Sequence, residues 1–341
     1  MKKSLLAVAV AAALPGAAFA ASNVTMYGIA DVSVDFVDRG NQSRNTLFLS
    51  SGGRSTSRWG VRGAEDLGGG LKAIFQFEAG VGVDIGSNDA NFFQRTSTVG
   101  LQGGFGKIRL GRTYTPSFLS LAKWDAMGYG LFGNLLVTSV RTTIVRYNNG
   151  IYYNSPKLGG AVINAAFSSG ESDSSANPSG QGNAFDVSVD WAGGPANVSA
   201  YYGSANSTTN PIVKTKRMGI GGGFNMGAFK IVAGYSKADP DGGNNDTKAV
   251  SVGGSLKLGA GSLMLQAQRL KFDATNGKST TFGVAYAHSL SKRTSVYAHF
   301  GTTRNDAVTA VELRGSGYAY TADGGVSSDP RAFGVGVRHL F

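Results

Sequence analysis

Ser57 to Glu78 reads SRWGVRGAEDLGGGLKAIFQFE. Trp59 and Val61 alternate with Arg58, Gly60 and Arg62, then Gly68-Gly69-Gly70 interrupts, and Leu71, Ala73, Phe75 and Phe77 alternate with Lys72, Gln76 and Glu78. A period of two with one apolar face is the mark of a strand, and a glycine-rich break between two such runs is the mark of a hairpin. In water the apolar face requires a second sheet. In a bilayer it can face lipid while the polar face lines an aqueous lumen, which places Arg58 and Arg62 on the non-lipid side.

The unit recurs along the chain. Tight turns fall at Gly68 to Gly70, Gly103 to Gly106, Ser155 to Gly160, Gly193 to Pro195, Asn225 to Gly227, Leu258 to Gly261 and Ser289 to Lys292, mostly at intervals of about 31 to 36 residues. Between the hairpins lie longer loops rich in Ser, Gly, Asn and Asp, such as Ser168 to Gly182 and Asn305 to Asp329. Seven hairpins with an unpaired strand at each end, Ser22 to Asp38 and Arg331 to Phe341, predict sixteen strands. Pairing of the last strand with the first closes the sheet, as hydrocarbon requires, because an open edge would leave backbone groups without partners. The expected fold is therefore all-β: a transmembrane antiparallel barrel of sixteen strands.

The rhythm breaks at Tyr114 to Val145, where the interval between turns exceeds fifty residues. A connection of this length inside a compact domain is functional or disordered. Phe118, Leu119, Leu121, Trp124, Leu131 and Phe132 give it too much apolar content for disorder. It is expected to fold into the lumen and narrow the passage; a surface lobe, or two further strands, is the alternative reading.

Composition narrows the class. Met1-Lys2-Lys3, the apolar run Ser4 to Ala13 and Ala18-Phe19-Ala20 predict a signal peptide over residues 1–20, with the mature barrel running from Ala21 to Phe341. Removing Lys2 and Lys3 with the signal lowers the formal charge from +11 to +9. No later stretch reaches the length of a membrane helix. The lack of cysteine removes thiol chemistry and Cys-based metal sites. The three histidines, His288, His299 and His339, fall in strands and suggest no Ser-His-acid set, so the chain does not read as an enzyme. No phosphate loop is present, and Asp239 to Asp246, DPDGGNND, lacks the spacing and closing Glu of a calcium loop, so neither cofactor nor metal is expected. The pI near 9.7 does not indicate nucleic acid here, because Lys and Arg are spread over many strands of an exported chain.

Several segments resemble the general porins of Gram-negative bacteria, in the branch found in Neisseria and Bordetella. They are VTMYGIAD near the start, SRWGVRGAEDLGGGLKAIFQFE, FQRTSTVGLQGGFGKIRLGR, YNNGIYYNSPKLGG, HSLSKRTSVYAHF and the terminal VGVRHLF, in the family's order over nearly the whole mature chain. The resemblance implies a homotrimer in the outer membrane, in contact with lipid and lipopolysaccharide, whose inward third loop meets an arginine cluster on the wall. It implies passive diffusion of ions and small hydrophilic solutes. The wall positions matching that cluster are Arg58, Arg62 and Arg95. Anion-selective relatives carry an arginine before Ser-Pro where this chain has Tyr152, and the acidic loop motif is reduced to Asp125. Arg58, Arg62, Arg95, Asp125 and Tyr152 are thus the candidate constriction residues, and an excess of arginine there implies anion preference. In the alternative reading, Glu65, Asp66 or Glu78 neutralises the arginines along the wall; a substrate-specific channel and a non-conducting adhesin or receptor are the rival functions.

Overall fold

The computed structural model describes residues 23–40, 46–170, 180–208, 211–320 and 327–341. The predicted signal peptide lies outside them. In chain order the strands are β1 (Asn23–Asp38), β2 (Thr46–Ser51), β3 (Arg58–Gly68), β4 (Leu71–Gly82), the two-residue β5 (Ser87–Asn88), β6 (Thr96–Gly103) and β7 (Gly106–Tyr114). Two short helices follow, α1 (Pro116–Ala122) and α2 (Leu136–Thr142). Next come β8 (Arg146–Asn154), β9 (Ala161–Ser168), β10 (Ala184–Gly193), β11 (Ala196–Asn206), β12 (Lys214–Met226) and β13 (Phe229–Pro240). The chain ends with β14 (Thr247–Leu258), β15 (Gly261–Phe272), β16 (Gly277–Ser289), β17 (Thr294–Asn305), the small hairpin β18 (Leu313–Arg314) and β19 (Ala319–Tyr320), and β20 (Arg331–Leu340).

Neighbouring strands pair antiparallel around a closed circuit, with β20 joined to β17 on one edge and to β1 on the other. Counting β2 and β3 as one interrupted stave, and leaving aside β5 and the separate β18–β19 hairpin, the barrel has sixteen staves. All seven tight turns of the sequence fall between paired strands. The alternation is realised on β1, where Asp31, Ser33 and Asp35 are buried inside and Val34 and Phe36 are exposed outside. At the closing seam Val34 pairs with Val335 and Phe36 with Phe333, so apolar cross-strand pairs continue across the junction of the chain ends.

One stave differs from the expected pattern. Between the predicted first strand, Ser22 to Asp38, and the run that starts at Ser57 lies β2, whose Leu47 and Leu49 face outward, paired with β1 from Val32↔Ser51 to Val37↔Thr46. The chain then leaves the ladder at residues 52–57 and rejoins it as β3, with Ile29 opposite Arg58. The excursion is fixed by Asp31, which accepts hydrogen bonds from the backbone N–H groups of Arg54 (3.2 Å) and Ser55 (2.8 Å). An inward-pointing carboxylate on β1 thus replaces the missing ladder bonds and turns this bulge into the lumen.

Candidate functional site

Residues 115–145 fold inward and occupy one side of the lumen. Thr115 caps α1 by accepting from the Phe118 N–H, and Pro116 follows it at the first helical position, where its missing N–H costs nothing. Trp124 donates from Nε1 to Ser199 Oγ at 2.7 Å and stacks on Tyr201. Its indole rests on Gly221 and Gly234, where an added Cβ would lie 2.4 Å from the ring. The wall glycines here leave the room that a large aromatic side chain needs.

The same half of the wall holds the loop by polar contacts. Asp186 accepts from the Ser117 N–H at 2.8 Å, and Asp190 accepts from Ser120 Oγ at 2.9 Å and pairs with Lys123 Nζ at 2.7 Å. Gln266 accepts from the Ala126 N–H, Thr138 donates to Gln268, and His299 Nδ1 accepts from the Phe132 N–H at 3.0 Å. Gly283 and Gly301 receive the backbone and Cβ of Phe132. The last long loop closes over α2: Arg141 forms a two-pronged bridge to Glu312, which also pairs with Arg314. Burial pushes the Glu312 carboxyl up, but Arg141 and Arg314 outweigh it and hold the group at about 2. Asp186 and Asp190, on the wall under the loop, are therefore engaged by it.

Asp125 has an internal position in the loop. Its carboxylate is buried and accepts from the N–H groups of Met127 (2.8 Å), Tyr129 (2.9 Å) and Leu135 (2.9 Å), tying the end of α1 to the start of α2. Burial raises its pKa to about 6, against the lowering effect of those three donors. It makes no salt bridge to Arg58, Arg62 or Arg95.

Opposite the loop the wall is basic. Arg95 is buried, with Nε 2.9 Å from Glu78 Oε1 and Nη2 donating to the Tyr114 hydroxyl at 2.8 Å. Arg58 approaches the other Glu78 oxygen at 3.6 Å. Tyr27 also donates to Glu78, at 2.9 Å. Arg146, which the sequence reading did not select, donates to the Arg95 carbonyl at 2.7 Å and lies over the Tyr114 ring at 4.0 Å from its centre. Arg58, Arg95, Tyr114 and Arg146 line a cavity of about 320 Å³ with Phe118, Tyr129 and Leu136 of the loop. Three guanidinium groups, Arg58, Arg95 and Arg146, thus line it, and among the described residues the carboxylate paired with them is Glu78 behind Arg58 and Arg95.

The two remaining candidates sit apart from that cavity. Arg62 lies over the Tyr27 ring at 5.1 Å and lines a second cavity, of about 300 Å³, with Lys107 and Arg109 toward the short-turn end. Tyr152 is almost fully buried; its hydroxyl is 3.0 Å from the carbonyls of both Thr113 and Tyr147, and Arg109 lies over its ring. Its place is in the wall beneath the loop's take-off point.

A closed barrel of antiparallel staves, apolar outside and polar within, partly filled by an inward loop beside a charged gap, is the architecture of an outer-membrane diffusion channel. Residues 7–308 match the Gram-negative porin family, and the chain belongs to that family. It is 33% identical to outer membrane porin protein 32 of Delftia acidovorans, with both chains covered completely. It is 29% identical, again over the whole of both chains, to an outer membrane porin protein of Bordetella pertussis. Among solved structures, an anion-selective porin from Comamonas acidovorans superposes with a TM-score of 0.86 at 29% identity, covering 94% of this chain and 100% of that one. This protein is accordingly a porin of the Gram-negative outer membrane that forms a water-filled channel.

Proposed function

We propose that the channel passes ions and small hydrophilic solutes with a preference for anions, and that Arg58, Arg95 and Arg146 set that preference. The observation that carries this reading is the imbalance at the cavity between loop and wall, where three guanidinium groups stand near one carboxylate, Glu78. A charge at a constriction of roughly a Debye length, about 8 Å at physiological ionic strength, acts on the passing ion before salt screens it. Arg62, with Lys107 and Arg109, extends the positive lining toward the short-turn end. Asp125 acts on the passage through the loop's shape, and Tyr152 by supporting Arg109 and the strand before the loop. The anion selectivity named for the Comamonas relative agrees with this assignment.

The same reading takes residues 1–20 as the cleaved export signal, the functional unit as a homotrimer and the surrounding partners as outer-membrane lipid and lipopolysaccharide. The trimer is supported by a likeness of fold: a Vibrio cholerae outer membrane protein solved in a trimer form superposes with a TM-score of 0.72 at 19% identity. Planar-bilayer recording under a KCl gradient tests the selectivity. Replacing Arg58, Arg95 and Arg146 together by Gln is expected to move the reversal potential toward that of a cation channel, while an unchanged potential would remove these residues from the account.

A further inference from the structure

On the outer face of the barrel, at the end where the long loops emerge, four lysines stand side by side. The pairing places Lys237 of β13 opposite Lys248 of β14, Lys248 opposite Lys271 of β15, and Lys271 opposite Lys278 of β16. They point outward, because each keeps the period of two from an exposed apolar residue on its own strand: Tyr235, Val250, Leu265 and Phe282. Arg269 and Arg304, one step toward the membrane, are joined in register through Thr280. Like charges directly opposite one another in a sheet are destabilising, so such a row persists where counter-charge is supplied.

Three carboxylates supply part of it. Asp246 bridges Lys237 (2.8 Å) and Lys248 (3.6 Å), Asp239 reaches Lys237 (3.1 Å), and Asp273 pairs with Lys248 and with Lys271 (3.2 Å). Arg269, Lys278 and Arg304 make no salt bridge to a described residue. Directly below the row the face turns apolar, with Val250, Val252 and Phe282 exposed. Along the sheet, near the loop ends of β9 and β10, the corresponding outward pair is Phe167 with Phe185, both exposed and uncharged.

We propose that the row Lys237, Lys248, Lys271 and Lys278, with Arg269 and Arg304, is a docking surface for a phosphorylated, multiply acylated glycolipid of the outer leaflet. The lysines would engage its phosphates at the rim while its acyl chains lie on Val250, Val252 and Phe282. A cluster of cations immediately above an apolar band matches a headgroup carrying more than one phosphate. The inference rests on the outer-membrane reading and locates the lipid contact on β13 to β17. It is independent of the lumen, since none of these side chains lines the cavity of Arg58, Arg95 and Arg146.

The full-length mature barrel in detergent micelles tests it, by native mass spectrometry with Kdo2-lipid A, phosphatidylglycerol and inorganic phosphate as separate probes. The wild-type protein is expected to retain Kdo2-lipid A in preference to phosphatidylglycerol, and inorganic phosphate is expected not to displace it. Lys237→Gln, Lys248→Gln, Lys271→Gln and Lys278→Gln combined should weaken that binding at least about tenfold, whereas Lys72→Gln with Lys157→Gln at the short-turn end should not. Equal retention of phosphatidylglycerol, displacement by phosphate, or undiminished binding by the quadruple variant would each overturn the assignment. Conductance of the same variants separates the two readings: normal conductance with undiminished binding sinks only the docking surface, while a folded wild-type barrel without conductance sinks the channel.

Discussion

The interior of the barrel has two unlike halves. From β10 to β17 the wall is covered by the inward loop, and its side chains are occupied in holding it: Asp186, Asp190, Ser199, Gln266, Gln268 and His299 all bond to the loop. On the other half, Arg58, Arg95 and Arg146 face the gap with Glu78 among them. A basic chain thus keeps an excess of cations at the gap, because docking of the loop engages Asp186 and Asp190 on the other half. Position, rather than net charge, decides which ions meet which residues. The loop contributes shape and apolar surface, and the wall contributes charge.

The strongest way to break this division is to loosen the loop from within. Asp125→Ala removes the acceptor of three backbone N–H groups, and at roughly 1.5 kcal/mol for each charge-assisted bond the loop should lose about 4.5 kcal/mol of local order. Limited proteolysis within residues 115–145 and noisy, enlarged single-channel steps are expected. A pure shift in selectivity with quiet channels would show that Asp125 acts as a pore charge instead.

Gly234→Leu attacks the same division from the wall, since the Trp124 ring lies 2.4 Å from where even a Cβ would be placed. Overpacking of this kind costs about 1 to 3 kcal/mol. Because the loop is the movable partner, single-channel conductance should rise while the barrel still resists unfolding in SDS. Conductance equal to wild type would mean that the indole has another seat.

Acidification gives a smaller effect of defined sign. The Asp125 pKa is raised in the folded loop, to about 6, so the folded state keeps a proton that the unfolded loop has already released between about pH 4 and pH 6. Its contribution is complete below the lower value and is lost as pH rises through the upper one. Moving from pH 7 to pH 5 should therefore firm the loop by about 1 kcal/mol. Glu312, held at about 2 by Arg141 and Arg314, remains charged across that window and keeps its clasp. Amide exchange at Met127, Tyr129 and Leu135, corrected for the intrinsic rate, should slow at pH 5; faster exchange would reverse the assigned sign.

The outer face of the barrel and its closure were legible because strand alternation and glycine-rich turns are local patterns repeated many times. β2 was not, because TLFLSS offers only Leu47 and Leu49 as outward apolar residues and is followed by Gly52-Gly53. Arg58 could be read from the alternation, and Arg95 from the resemblance to the porin family, since Thr96, Ser97 and Thr98 after it give no alternation to fix its face. Arg146 could not, since it stands at the junction of loop and strand where no periodicity fixes its direction; its place beside Tyr114 exists only after the loop has folded back. The position of Asp125 had a local signal. An Asp followed by Gly128 and Tyr129, both at positive φ, is a side chain able to bond the backbone of its own turn, a role that competes with facing a pore.

The reversal potential of the wild-type channel in a KCl gradient tests the central claim most directly, because it reads the sign of the field at the gap without any substitution. Preference for Cl⁻ over K⁺ is expected, diminishing as ionic strength rises and screening shortens the reach of Arg58, Arg95 and Arg146. A clear preference for K⁺ would contradict it, placing control of the passage with carboxylates that the loop does not engage.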